Sequence, residues 1–180
     1  WHYLLELDPD IALLQEVNAV PPAVTREYAC LRTRAMGMTA FQNFHTVILV
    51  RGEIGEPVPL NGSQAWIDDI LATYAGNLPS RVVHPRGRPP VKVIAAYSPP
   101  WQIPWHYFEG ADVDALRPTQ QHAVWLVDLL LAALEHRPPD PEESWIIAGD
   151  LNLSETFDHD RRYAGGNGAW LERMRSLGLV

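Results

Sequence analysis

Cys30 is the only cysteine among 180 residues, so no disulfide forms within the chain and a disulfide framework is excluded. No apolar run approaches the length that spans a bilayer. The longest, residues 124–134, is interrupted by Asp128 and reads as a buried helix, so no transmembrane segment is expected. Cationic side chains are also in deficit: 14 Lys and Arg against 22 Asp and Glu give a formal charge of −8. That balance argues against a broad basic surface for gripping polyphosphate backbones and leaves room only for a local cluster. His45, His84, His106, His122 and His136 are scattered, and no pair has helical metal spacing with a glutamate between, which argues against zinc. Gly165-Gly166-Asn167-Gly168 reads as a flexible turn, because no lysine and hydroxyl follow it as a phosphate loop requires. Internal repeats, low-complexity tracts and linkers are absent too.

What is present is ordinary for a globular chain: 47% hydrophobic and 20% charged residues, enough for one domain over residues 1–180 with a real core. Residues 1–7 read as the tail of a helix, ended by Asp8-Pro9-Asp10, and Ile11-Ala12-Leu13-Leu14 as a short central strand. Thr46-Val47-Ile48-Leu49-Val50 reads as a second strand, with no clear element between the two. Trp66, Ile67, Ile70 and Leu71 recur at helical spacing over 63–74, with Ser63 as N-cap and Gly76 as stop. Residues 81–84 and 91–97 flank the turn 85–90 as a hairpin. A proline- and aromatic-rich loop, 101–110, leads to a long helix over 118–135, opened by Pro118. Trp145-Ile146-Ile147-Ala148 reads as another strand and 170–177 as a helix stopped at Gly178. Leu179-Val180 reads as the opening of a further strand, so both ends are expected to be cut. This order predicts an α/β protein with a mixed or antiparallel sheet.

Two strand ends carry hard oxygen ligands. Glu16 follows the first apolar strand, and alternation places Ala12, Leu14 and Glu16 on one face. Asp150 and Asn152 follow Gly149 and are expected to share a face, the glycine permitting close backbone approach. Few, rigidly placed oxygens suit magnesium, which keeps several waters and shares its shell with substrate phosphate, and so point to phosphoryl chemistry. Taken on spacing alone, the same residues also fit strand-end caps and turns.

Residues 8–17, from Asp8-Pro9-Asp10 to Leu14-Gln15-Glu16-Val17, resemble the glutamate motif of the endonuclease/exonuclease/phosphatase (deoxyribonuclease-I-like) family. Residues 145–152, ending Gly149-Asp150-Leu151-Asn152, resemble its Asp-x-Asn motif. Ala96-Tyr97-Ser98-Pro99 is similar to the strand-end motif of the abasic-site endonuclease branch, and 170–180 to the helix and Gly-Leu-Val before the last strands. Several short motifs in family order make a more specific signal than any one of them. The resemblance implies a four-layer α/β/β/α sandwich of two mixed β-sheets, truncated here. It implies divalent-metal-dependent hydrolysis of phosphoric esters by a phosphodiesterase or nuclease, with magnesium as cofactor and manganese able to replace it. Glu16 would bind the metal, Asp150 would position or activate the attacking water, Asn152 would orient substrate or Asp150, and Tyr97 would support the phosphate or leaving group. The partner implied is a phosphate-ester substrate, nucleic acid included.

The family's first-strand asparagine and terminal Asp-His pair would lie outside these residues. Asp158-His159-Asp160 follows the Asp-x-Asn motif too closely to be that pair and reads as a solvated loop segment. Residues 101–107, with Trp105 and His106, fit either an aromatic lining for a site or a plug over the sheet. Arg86 and Arg88 in the hairpin turn fit phosphate contacts or the solubility of a sheet edge. A non-catalytic module of the same fold and a phospholipid or phosphoinositide phosphoesterase are the alternative functions.

Overall fold

Thr46, Val47, Ile48, Leu49 and Val50 are each 1% exposed or less, so the strand that carries them is covered on both faces. It is the middle strand of a three-stranded antiparallel sheet in a computed structural model of the chain, which describes residues 1–118, 123–159 and 166–179. The strands are β1 (Ile11–Val17), β2 (Ala29–Met36) and β3 (Phe41–Val50), in the order β1-β3-β2. A second sheet has the order β4-β5-β6-β7, from β4 (Gly52–Pro57), β5 (Ser80–Pro85), β6 (Val91–Tyr97) and β7 (Trp145–Asp150). The expected hairpin is β5 and β6, antiparallel with Val83 opposite Val91, its turn relieved by Gly87 at φ 72°. Backbone bonds from Lys92 N to Ser144 O and from Ser98 N to Asp150 O step the same way along both strands, so β6 and β7 run parallel. The protein is therefore α/β with two sheets, one of them mixed.

The chain divides into two compact units. The first comprises Trp1–Pro59, Ala75–Tyr97 and Glu142–Gly149, and the second Leu60–Tyr74, Ser98–Pro141 and Asp150–Val180. In the first, inward side chains of the two sheets meet: Ile48 and Val50 of β3 pack with Val83, Val93 and Ala95, flanked by Ile11, Leu13, Leu31 and Ile54. The other face of the three-stranded sheet buries Val47 and Leu49 beneath α1 (His2–Leu7) and α2 (Pro22–Glu27), through Leu4, Leu5, Val24 and Tyr28. Strand alternation supplies both faces from one sequence. Cys30 lies beside this second cluster, and burial pushes its thiol pKa up. Arg51 pins the α1–β1 turn to the end of α2. It pairs with Asp8 and Glu27 and lies 4.7 Å over the Tyr28 ring.

In the second unit, α3 (Ala65–Thr73) buries Ile67, Ile70 and Leu71, while α4 (Leu126–His136) buries Leu129, Leu130, Leu131 and Leu134. Tyr74, edge-on to Tyr107 at 6.2 Å, is buried deeply enough to push its hydroxyl pKa up to about 12. The helix α5 (Asn167–Ser176) buries Trp170, whose indole N–H donates to Val127 O at 3.0 Å. Arg173 grips Glu135 with two hydrogen bonds, at 2.9 and 2.7 Å, and holds its carboxyl below the usual range. Among the described residues no helix is long and apolar enough to cross a membrane.

Several expectations need correction. The helix of 118–135 starts at Leu126, not Pro118, because buried Asp128 accepts the Trp125 N–H at 2.8 Å and so caps the helix there. Residues 119–122, which include His122, lie outside the described residues. Gln64, not Ser63, is the N-cap of α3, without a side-chain bond. The stretch with no clear element holds α2 and β2, and β4 was not anticipated. Gly166, at φ 96°, is the N-cap of α5 and Asn167-Gly168 its first turn, so this part of the expected flexible turn is helix start; Gly165 is outside the described residues, as is Val180.

Candidate functional site

The first predicted ligand sits on a bulge. Leu14 faces Val47 and Val17 faces His45, so three steps along β1 oppose two along β3, and the surplus falls at Gln15-Glu16. Glu16 takes φ 56°, a left-handed backbone that glutamate adopts at a cost of about 1–2 kcal/mol. Alternation had placed Ala12, Leu14 and Glu16 together. Instead Val17 joins Ala12 and Leu14 in the outer core, and the bulge turns Glu16 out to solvent. Its carboxylate makes no hydrogen bond or ion pair with the described residues, and both oxygens are open to a ligand. Gln15 continues the inward row of Ile11 and Leu13, its amide nitrogen buried and without a hydrogen-bond partner among the described residues.

At the other strand end, in the second unit, Asp150, Asn152 and Ser98 come together. Asp150 Oδ1 accepts the Asn152 N–H at 3.1 Å, closing a side-chain turn, and Asn152 Nδ2 donates to Ser98 O at 2.6 Å. Asn152 takes φ 50°, which asparagine tolerates better than most residues. Alternation predicted that the two share a strand face; they do not, because β7 ends at Asp150 and the chain turns. The turn leaves Asp150 Oδ2 and Asn152 Oδ1 without hydrogen bonds among the described residues. Ser98 Oγ is buried and has no hydrogen-bond partner among the described residues.

Tyr97 ends β6 with 3% exposure and packs edge-on against Phe44 at 5.2 Å, so its ring is a core group of the first unit. Glu16 and Tyr97 belong to that unit, Asp150 and Asn152 to the second. A residue that sequence reasoning missed is Asn77. Fully buried, it accepts the Met36 N–H at 2.7 Å and donates to Met36 O and Tyr97 O at 3.1 and 3.3 Å, while its own carbonyl accepts the Tyr97 N–H at 2.8 Å. It clasps the ends of β2 and β6. The only signal in sequence was its place after Ala75-Gly76, a turn composition with no hint of burial.

Asp158 caps α5: it accepts from Asn167 N and Nδ2 at 2.9 and 2.7 Å and from Gly168 N at 2.8 Å, bonds that hold its carboxyl below the usual range. Asp158 and His159 are exposed, as a solvated segment should be, but they end a 3-10 turn and Asp158 caps a helix; Asp160 lies outside the described residues. Trp105 is 62% exposed and edge-on to Phe108 at 5.1 Å. Arg88 pairs with Asp10 at 3.4 Å.

Among the described residues no three His, Cys, Asp or Glu side chains converge as a metal-binding group. At the bulge the structure offers one carboxylate, Glu16, and magnesium is an ion that takes only one or two and fills its shell with water and phosphate oxygens. The chain matches no family model and no curated protein.

Proposed function

We propose that this chain belongs to a magnesium-dependent phosphodiesterase of the endonuclease/exonuclease/phosphatase type, with that family's four-layer α/β/β/α sandwich. The observation that carries the reading is the backbone of Glu16. A glutamate held left-handed on a bulge, with its carboxylate unengaged, costs stability that its own side chain does not recover in core contacts. Such strain is characteristic of a side chain aimed for a ligand. The sequence motifs around Glu16 and Asp150 point to the same chemistry.

Glu16 would hold the metal, whose role when bound is Lewis-acid stabilisation of charge on the phosphoryl oxygens. Asp150, its Oδ1 fixed by the Asn152 N–H, would offer Oδ2 to the attacking water. As the water oxygen bonds to phosphorus, its proton passes to Asp150, the bond from phosphorus to the leaving oxygen breaks, and that oxygen takes a proton from solvent. Asn152, anchored on Ser98 O, would present Oδ1 to the substrate or the water. Tyr97 would support the phosphate.

The test is magnesium-dependent hydrolysis of a phosphodiester by a protein carrying these 180 residues, compared with Glu16→Gln and Asp150→Asn. Loss of activity in both, with an unchanged melting curve, is expected. Full activity in either would remove that residue from the chemistry, and full activity in chelator would overturn the metal-dependent reading.

A further inference from the structure

From Glu16 a line of side chains runs out across the first unit. Val17, the next residue, faces His45 on β3, and His45 faces Arg34 on β2. His45 Nδ1 lies 3.2 Å from Val17 O and 3.5 Å from the Arg32 guanidinium, which donates to Asn18 O. Farther along the hairpin, the Arg34 guanidinium stands 5.7 Å from the centre of the Phe41 ring. Phe41 is 58% exposed, and Arg32 and Arg34 are exposed as well.

Of the twelve described Lys and Arg, six are ion-paired and six, Arg26, Arg32, Arg34, Arg81, Arg86 and Arg137, are not; Arg32 and Arg34 are the two of these that stand two positions apart on one strand. Arg51, Arg88, Lys92, Arg117, Arg173 and Arg175 each have a carboxylate within reach. Among the described residues Arg32 and Arg34 have none; one backbone carbonyl each, Asn18 O and Gln42 O, leaves most of their N–H groups unused. Two positions apart on one strand, they stand about 6–7 Å apart, a spacing that suits neighbouring phosphates on an extended strand. Beside them the exposed Phe41 ring, over which Arg34 lies at 5.7 Å, supplies aromatic surface for stacking, which a base uses and a lipid headgroup does not.

We infer that Arg32, Arg34 and Phe41 form a subsite for a single-stranded polynucleotide, the arginines on its phosphates and the ring under a base, leading away from Glu16. The inference rests on the phosphodiesterase reading for its substrate class. It makes the substrate a polymer instead of a small phosphate ester, and it places recognition in the local basic cluster that the overall charge still allowed.

The test separates binding from chemistry. A short fluorescein-labelled oligothymidylate is titrated with the 180-residue chain in EDTA, reading anisotropy across a range of salt. The R32Q/R34Q variant should lower the salt slope of log K by about 1.4, since each phosphate contact on a single strand contributes about 0.7. Lysine at both positions should restore the slope. Phe41→Ala should weaken binding about fivefold or more at an unchanged slope, the loss of one stacked base. Photo-crosslinking of a bromouridine-labelled strand to the unaltered chain should map to residues 29–50, whether or not a variant folds. Equal affinity in R32Q/R34Q, crosslinks elsewhere, or displacement of the strand by phosphatidylserine vesicles at equal phosphate would each overturn the subsite. A failure of hydrolysis alone, with these binding results intact, would strike only the phosphodiesterase reading.

Discussion

The Gln15 side chain lies over Gly149: a Cβ added to the glycine would stand 2.7 Å from the Gln15 amide nitrogen and 2.0 Å from Ala96 O. No side chain fits there, and the φ of 145° is one that residues other than glycine rarely adopt. Gln15 and Gly149 each immediately precede a proposed site residue in sequence. Gly149→Ala should destabilise the protein by about 2–3 kcal/mol, read as a lowered denaturant midpoint at unchanged slope. A variant as stable as the parent would show that β7 does not sit this close to β6.

Glu16 should show opposite effects on stability and activity. Glycine accepts φ 56° without strain, so Glu16→Gly is expected to raise stability by about 0.5–1 kcal/mol while hydrolysis is lost. A denaturant titration and a magnesium-dependent assay on one preparation check both. A clear loss of stability would mean the side chain serves packing after all.

Asn77 should tolerate almost nothing. Alanine at this fully buried position would leave the partly buried Met36 N–H and C=O without their Asn77 partners, at a cost of about 2–3 kcal/mol. Hydrogen exchange supplies the specific readout: protection at Met36 should fall more than protection across β1. Uniform loss would point to general destabilisation without a clasp.

Acid should act through two carboxylates. Glu135, bonded by Arg173, and Asp158, bonded by Asn167 and Gly168, both ionise below their ordinary range in the folded protein. A lowered folded pKa means the unfolded chain binds the proton first as pH falls. Their stabilisation is therefore complete above about pH 4–5 and disappears as pH drops through the lower folded values. Glu135→Gln and Asp158→Asn should each flatten the acid limb of a stability–pH curve, while Arg173→Ala should cost about 1–2 kcal/mol at neutral pH. An unchanged acid limb would remove these groups from the linkage.

The sequence by itself determined the α/β class, β1, β3, β7 and the β5–β6 hairpin, because apolar runs and turn residues act over a few neighbouring positions. It also singled out Glu16, Asp150 and Asn152, since a polar residue after a buried strand is visible without any partner. Tertiary structure alone decided the rest. The bulge that turns Glu16 outward arises from the pairing of β1 with β3, forty-seven being opposite fourteen and forty-five opposite seventeen. The start of α4 depends on which backbone N–H Asp128 accepts, and the burial of Asn77 and the cap formed by Asp158 on partners distant in sequence. Local pattern fixes which residues leave the core. Long-range pairing fixes where they point, because one added residue in a strand reverses every face beyond it.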